Sequence, residues 1–480
     1  MTKLSLTYPV QHFFFYAFSL LLLSSLFAAI HLESLLPLLF PILGLIGFAG
    51  SLNLNRLYAF FFLLIPFSIE VELTRSFGTD LPSEPFMIGL TLIALLIFAR
   101  NYKRIDARYL KHPITFLLLL HFIWIAIATL FSQNLFVSVK YLLAKTWYIV
   151  PFYFLAIHLL KKEAAVRTLL KCALISLLVS ISFVMISHAG DGFSFDSINQ
   201  AVSPIFRNHV NYACILTLFV PYIWYLTVSN KSTFYRVFYT IAMVVFLTAI
   251  YLSYTRAAYV AIGIALGAYL IIKWKLVKVV ILTVTIVATA IISFLSIDNN
   301  YLEYKPDFEK AITHKKFDDL LDATTKLEDI STVERFYRWV AGGYMVADRP
   351  LLGFGPATFY FNYQSYTVTG FQTYVSDNPE KSGIHNYYLM TAVEQGLVGC
   401  LIFVSFCFIV MIKGEEAYHN QPDKSKKALI MSALLSFIII CAVLIINDMV
   451  EAAKVGPFFF LAPALILIYG LPKIQERISN

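Results

Sequence analysis

Charge is scarce in this chain. Of its 480 residues only 14% are Asp, Glu, Lys or Arg, while 59% are hydrophobic; soluble proteins carry about 25% charged residues. A mean hydropathy of +0.73 fits the same picture. That balance excludes an ordinary water-soluble enzyme, a disordered protein and a nucleic-acid module, despite a formal net charge of +8. The basic residues lie in short clusters between apolar runs, where they set topology and are not a nucleic-acid surface. Cysteine is scarce too. Cys172, Cys214, Cys400, Cys407 and Cys441 all fall in apolar segments without CxxC spacing, so neither a disulfide framework nor a thiolate metal site is indicated. No HExxH, GxSxG or nucleotide-linked DxD pattern occurs, and Gly353-Phe354-Gly355-Pro356 lacks the later Gly-Lys of a phosphate loop and reads as a turn. There is no internal repeat, low-complexity tract or Pro/Ser-rich linker.

What the chain has is apolar length. A helix needs about 20 apolar residues to cross a bilayer, and candidate spans fall at 13–30, 35–52, 57–71, 85–99, 114–131, 142–160, 168–188, 210–228, 235–253, 257–272, 277–297, 387–412, 428–447 and 455–471. The first run exceeds the usual core of a signal peptide and has a single lysine before it, so it is read as a span. The expected fold class is an all-α polytopic membrane protein of 12–14 transmembrane helices. Residues 1–297 hold the first eleven, 298–386 form one large loop with short helices, and 387–480 hold the last three. Taken alternately, one set of loops holds 22 basic and six acidic residues, and the other holds 15 basic and 23 acidic. The positive-inside rule then puts both termini in the cytoplasm and 298–386 outside.

That loop is too long for a simple connection. Residues 308–327 have the spacing of an amphipathic helix at the membrane surface. Ser331-Thr332-Val333-Glu334 reads as a capping box opening a helix to about Ala347. On it Arg335 and Arg338 share a face, and Phe336, Trp339, Val340 and Gly343 make the opposite, packing face. Asp318, Asp319 and Asp322 fit a solvated face better than a metal-diphosphate site. The aromatic run Phe359-Tyr360-Phe361, Tyr363 and Tyr366 is open to three readings: sheet, interfacial belt or sugar-stacking surface.

The unusual polar residues share one side. Arg207 and His209 precede the eighth span, Arg256 sits in the short turn before the tenth, and His385-Asn386 precede the twelfth. Arg256 places a cation on the side that the charge rule disfavours; it either snorkels to lipid phosphate or forks onto an anionic substrate group. A neutral His385 near phosphate-holding arginines could take a proton from an attacking hydroxyl. Asn386 could cap the following helix and orient that histidine. Glu394, two turns into an apolar span, is a functional or paired acid by default.

In their order and shared side these residues resemble the O-antigen ligase and polymerase superfamily of bacterial envelope glycosyltransferases. The resemblance rests on Ser253-Tyr254-Thr255-Arg256-Ala257-Ala258, on Arg335-x-x-x-Trp339 with Pro350-x-x-Gly353-x-Gly355, on His385-Asn386-x-x-Leu389 with Glu394-x-Gly396, and on the large loop between. It covers about 250–400. It implies a metal-independent, inverting transfer, without cofactor, at the periplasmic face of the inner membrane. The donor would be an undecaprenyl-diphosphate-linked glycan and the acceptor a lipid A core sugar in a ligase, or a second glycan in a polymerase. Residue by residue it implies Arg256, Arg335 and His385 as catalytic, and Arg338, Arg207, Asn386 and Glu394 are the candidate substrate-binding residues, Arg338 being an alternative to Arg335 and Arg207 a looser candidate. A transporter or flippase of lipid-linked sugars, the reading from another class, should carry polar breaks at mid-membrane in two matching halves. Here the charged outliers sit at span ends and the halves differ.

Overall fold

A computed structural model describes residues 8–32, 36–74, 77–101, 106–304, 330–372, 376–378 and 382–472. The longer helices are α1 (Tyr8–His31), α2 (Leu39–Leu64), α3 (Ser83–Asn101), α4 (Pro113–Leu130), α5 (Leu135–Ile149), α6 (Glu163–Gly190), α7 (His209–Val228), α8 (Thr233–Tyr251), α9 (Arg256–Lys273), α10 (Val277–Ser296), α11 (Ile330–Asp348), α12 (Tyr387–Asn420), α13 (Lys424–Val443) and α14 (Gly456–Gly470). Among the described residues 11 helical stretches are long and apolar enough to cross a membrane, and Tyr16–His31 and Gly456–Gly470 are shorter apolar helices. The chain is an all-α polytopic membrane protein.

The runs 35–52 and 57–71 form one helical stretch, Leu36–Phe67, sharply bent at Asn53 (φ −161°, ψ 91°). The Asn53 side chain accepts the Arg56 N–H at 3.1 Å, which caps the second arm. The first arm runs parallel to α3: a Cβ on Gly89 would touch Ile46, and one on Gly50 would touch Ile93. Leu57 folds back onto Gly50, so the chain reverses here and both sequence runs exist as arms of a helical hairpin. The second arm ends earlier than 71. Pro66 lies in a terminal 3₁₀ turn, and from Ile69 the apolar-acidic alternation Ile-Glu-Val-Glu gives strand β1 (Ile69–Thr74), antiparallel to β2 (Phe77–Leu81).

Contacts sort the loops between two ends of the bundle. At one, the Arg108 guanidinium donates to Pro472 O (3.0 Å), Glu415 accepts the Val277 N–H (3.1 Å) and the His419 ring bonds Ile272 O (2.8 Å). At the other, Gln133 N–H meets Phe354 O (3.1 Å), the Ser138 hydroxyl donates to Pro356 O (2.7 Å) and Tyr387 N–H meets Leu444 O (2.9 Å). Between them α7, α13 and α14 form the centre. Phe458 of α14 packs edge-on against Phe62 and Phe219, and Phe459 stacks on Phe437 at 5.1 Å. In lipid such contacts hold by close packing, because the surrounding chains are as apolar as the side chains. By contrast α10 buries none of its apolar window.

Helix α12 is broken at Gly396 (φ 73°, ψ 174°), where a Cβ would lie 2.0 Å from Leu351 O. The turn after α11 fills the break, and a Cβ on Gly353 (φ 68°) would lie 2.5 Å from Glu394 C. The backbone groups freed there are satisfied from outside: Phe354 N–H to Val393 O (3.0 Å), Gly355 N–H to Glu394 O (2.9 Å), Leu397 N–H to Pro350 O (2.7 Å) and Trp124 Nε1–H to Gln395 O (2.8 Å).

Candidate functional site

Arg256 opens α9 from a braced turn. Ser253 is buried and its carbonyl accepts His209 Nδ1–H at 2.8 Å; Tyr254 takes φ 53° and its hydroxyl donates to Phe193 O at 2.7 Å. The helix N-terminus adds positive potential beside the guanidinium.

Helix α11 runs to Asp348, close to the expected end at Ala347, but its faces differ from the sequence reading. Val333, Glu334, Tyr337, Arg338, Ala341 and Met345 are buried, while Gly343 is exposed. The capping role of Glu334 is replaced by an ion pair: its carboxylate meets Arg338 Nη2 at 3.1 Å and the Ser376 hydroxyl at 2.6 Å. A buried charge without such partners is costly, so packing turns Arg338 inward. Arg335, three residues earlier, bonds the Ser331 hydroxyl (3.0 Å) and turns to the cavity. The two arginines therefore do different things. The expected helix at 308–327, with Asp318, Asp319 and Asp322, lies outside the described residues.

His385 is held through its backbone. It takes φ 55°, and its N–H donates to Asp448 Oδ2 at 2.8 Å. The two preceding carbonyls are tied to α11, Gly383 O by Arg338 (3.3 Å) and Ile384 O by Trp339 Nε1–H (3.0 Å). Asn386 caps α12, its Oδ1 accepting the Leu389 N–H at 3.0 Å. Burial, then the positive charges of Arg335, Arg338 and Arg207, push the His385 pKa down to about 3. Burial, with Glu451 nearby, pushes Asp448 up to about 7 against the pull of the His385 N–H.

The carboxylate of Glu394 is engaged by main-chain donors: it accepts the N–H groups of Ala357 (2.8 Å) and Phe359 (3.1 Å) and so pins the turn inserted into the α12 break. Arg207 is exposed and acts on His385 only through its field. Residues 359–366 are helical turns, not sheet, and Phe359 stacks on Tyr363 at 4.9 Å inside a buried cluster.

A cavity of about 700 Å³ brings together the α9 turn, α11 and the end of α13, while His385, Asn386, Arg338, Arg207 and Glu394 are not among its lining residues. Arg256 and Arg335 both line it. One wall is polar and aromatic (Phe195, Asp196, Asn199, His209), and another is apolar (Val260, Ala261, Ile264 of α9 with Ala442, Val443 of α13). Its chemistry is that of a site for an anion bearing both a polar and an apolar substituent.

Sequence reasoning missed the segment between α13 and α14. Asp448 supports His385, and Glu451 accepts Tyr141 (2.9 Å) and Tyr387 (2.6 Å) and pairs with buried Lys145. The Tyr148 hydroxyl donates to Glu451 O at 2.6 Å. The available signal was two acids in Asn447-Asp448-Met449-Val450-Glu451 between apolar runs.

A family model described as O-antigen ligase matches residues 241–404, about a third of the chain, from within α8 to within α12. Arg256, Arg335, His385 and Glu394 all fall in the matched stretch. No curated protein matches the chain. The likeness to the O-antigen ligase superfamily read from the motifs thus holds over this stretch.

Proposed function

We propose that the protein transfers a glycan from a polyprenyl-diphosphate carrier to a hydroxyl of an acceptor, as O-antigen ligases do, the acceptor being a lipid A core sugar. The observation that carries this reading is the shared cavity of Arg256 and Arg335, with an apolar wall running down α9 and α13. Two guanidiniums suit a diphosphate, which each can grip with two parallel hydrogen bonds. Fixed cations there neutralise the charge that grows on the leaving group as the glycosidic C–O bond breaks, and this stabilisation does not require a metal. The apolar wall suits the first isoprene units of the carrier.

His385 is the proposed base for the attacking hydroxyl, with Asp448 and Asn386 as positioning residues. Its depressed pKa keeps it neutral, and the charge of a bound diphosphate would offset the arginines and make it a stronger base when substrate is present. Attack by the acceptor oxygen on the face opposite the diphosphate inverts the anomeric centre. The charge pattern of the loops supports a periplasmic site in the bacterial inner membrane, with both termini cytoplasmic. Arg338, Arg207 and Glu394 support the site without touching substrate.

The test is to incubate the protein in lipid vesicles with a polyprenyl-diphosphate glycan and either lipid A core or a second donor. Attachment of one glycan to lipid A core supports a ligase. Chain growth on the second donor supports the alternative, a polysaccharide polymerase of the same superfamily. Failure of transfer to both rejects the proposal.

A further inference from the structure

The proposed donor reading leaves the polar wall of the cavity without a task. His209 is the first residue of α7, whose N-terminus is capped by Asn208 through the Asn211 N–H (2.9 Å). Its own N–H donates to Asn199 Oδ1 at 3.1 Å. Its ring is fixed by the 2.8 Å contact of Nδ1 with Ser253 O. A carbonyl brings no proton, so the proton is on Nδ1 and Nε2 carries a lone pair. Among the described residues no hydrogen bond to protein engages Nε2, and His209 lines the cavity.

Beside it on the same wall stands Asp196, which when ionised can also only accept hydrogen bonds, and Phe195 lies edge-on to the imidazole at 6.5 Å. This wall is rich in acceptors and meets the two arginines, which are rich in donors. An ionised phosphate cannot bond a lone-pair nitrogen or a carboxylate. A sugar ring can, because its hydroxyl and acetamido groups bring O–H and N–H donors.

We propose that Phe195, Asp196, Asn199 and His209 form the subsite for the sugar ring attached directly to the diphosphate, with His209 Nε2 accepting a hydrogen bond from a hydroxyl or amide N–H of that ring. The proposal rests on the reading of Arg256 and Arg335 as the diphosphate site. It makes His209 a specificity-determining residue and assigns the 195–209 segment, which precedes the family-matched stretch, to substrate recognition.

His209→Asn separates this role from a purely structural one. The asparagine amide can occupy the position of Nδ1–H and keep the bond to Ser253 O, but it has nothing at Nε2. Affinities of the full chain in nanodiscs should be measured for two probes, undecaprenyl diphosphate without sugar and undecaprenyl diphosphate bearing one N-acetylhexosamine. His209→Asn should bind the sugar-free lipid like wild type and the sugar-bearing lipid about tenfold more weakly, the worth of one well-made hydrogen bond. Asp196→Ala, at an exposed position that leaves the turn at Ser253 untouched, should show the same selectivity. Wild-type affinity of both variants for both probes overturns the proposal, as does equal weakening for the two probes. Failure of the wild type to bind the sugar-free lipid overturns instead the diphosphate reading beneath it.

Discussion

Asp448 accepts the main-chain N–H of His385 at 2.8 Å, joining the α13–α14 segment to the residue that precedes α12. His385 adopts a left-handed backbone (φ 55°), a conformation costly for a side chain with a Cβ, and the carboxylate helps hold it there. Asp448→Ala leaves that half-buried N–H without its acceptor, a loss of about 1 kcal/mol. Transfer should fall with little change in donor affinity. Weakened donor binding with normal turnover would show that Asp448 serves the cavity and not the histidine.

The same carboxyl has a pH signature. Its folded pKa is raised to about 7, above the ordinary carboxylate range near 4. The folded state therefore favours the protonated form, and the stability it contributes is present at low pH and is lost as pH rises through about 7. Asp448→Asn removes the ionisation. Thermal unfolding measured from pH 4 to 8 should fall less steeply for Asp448→Asn than for wild type. Parallel curves would assign the pH dependence to other groups.

His385 predicts the acid limb of activity. With a pKa near 3 in the free protein it stays neutral through pH 5, so kcat/KM should not decline between pH 7 and 5 through this group. Arg335→Ala removes one depressing charge and should move the limb upward. An acid limb near pH 6.5 in wild type would mean that His385 is solvated and remote from the arginines. His385→Ala should lose about 10²–10⁴-fold in turnover.

Arg335 and Arg338 should separate by readout. Arg338→Ala strands Glu334 in a buried place, and breaking such a pair costs about 3–5 kcal/mol, so the amount of folded protein should drop. Arg335→Ala should fold normally and lose donor affinity. The reverse assignment of effects would return Arg338 to the substrate and make Arg335 structural.

The fold was largely legible because apolar run length is a strong signal: each run from 13–30 to 455–471 has its helix. The break at Asn53 was legible as the polar gap Asn53-Leu54-Asn55-Arg56 between two apolar runs, but not that both arms would stay in one helical stretch. The strand at Ile69 was visible as an alternation of period two but too short to stand out beside helices. At the site, Arg256 was legible because it interrupts apolar sequence. The faces of α11 were not, because the position of Arg338 is decided not only by Glu334 one turn earlier but by Ser376 and Gly383, whose proximity is tertiary. Asp448 and Glu451 were overlooked for the same reason, as their partners lie on α5, in the chain before α12 and at the first residue of α12.

In the proposed site Arg256 and Arg335 grip one diphosphate in a shared cavity. The most direct measurement is the rate of glycan transfer under single turnover, with chelator present, for wild type, Arg256→Lys and Arg335→Ala. A lysine keeps the charge and loses the two-pronged contact, so Arg256→Lys should be at least about tenfold slower than wild type, Arg335→Ala slower still, and the chelator without effect on wild type. Wild-type rates in Arg256→Lys would contradict this grip and leave Arg256 a cation that only snorkels to lipid.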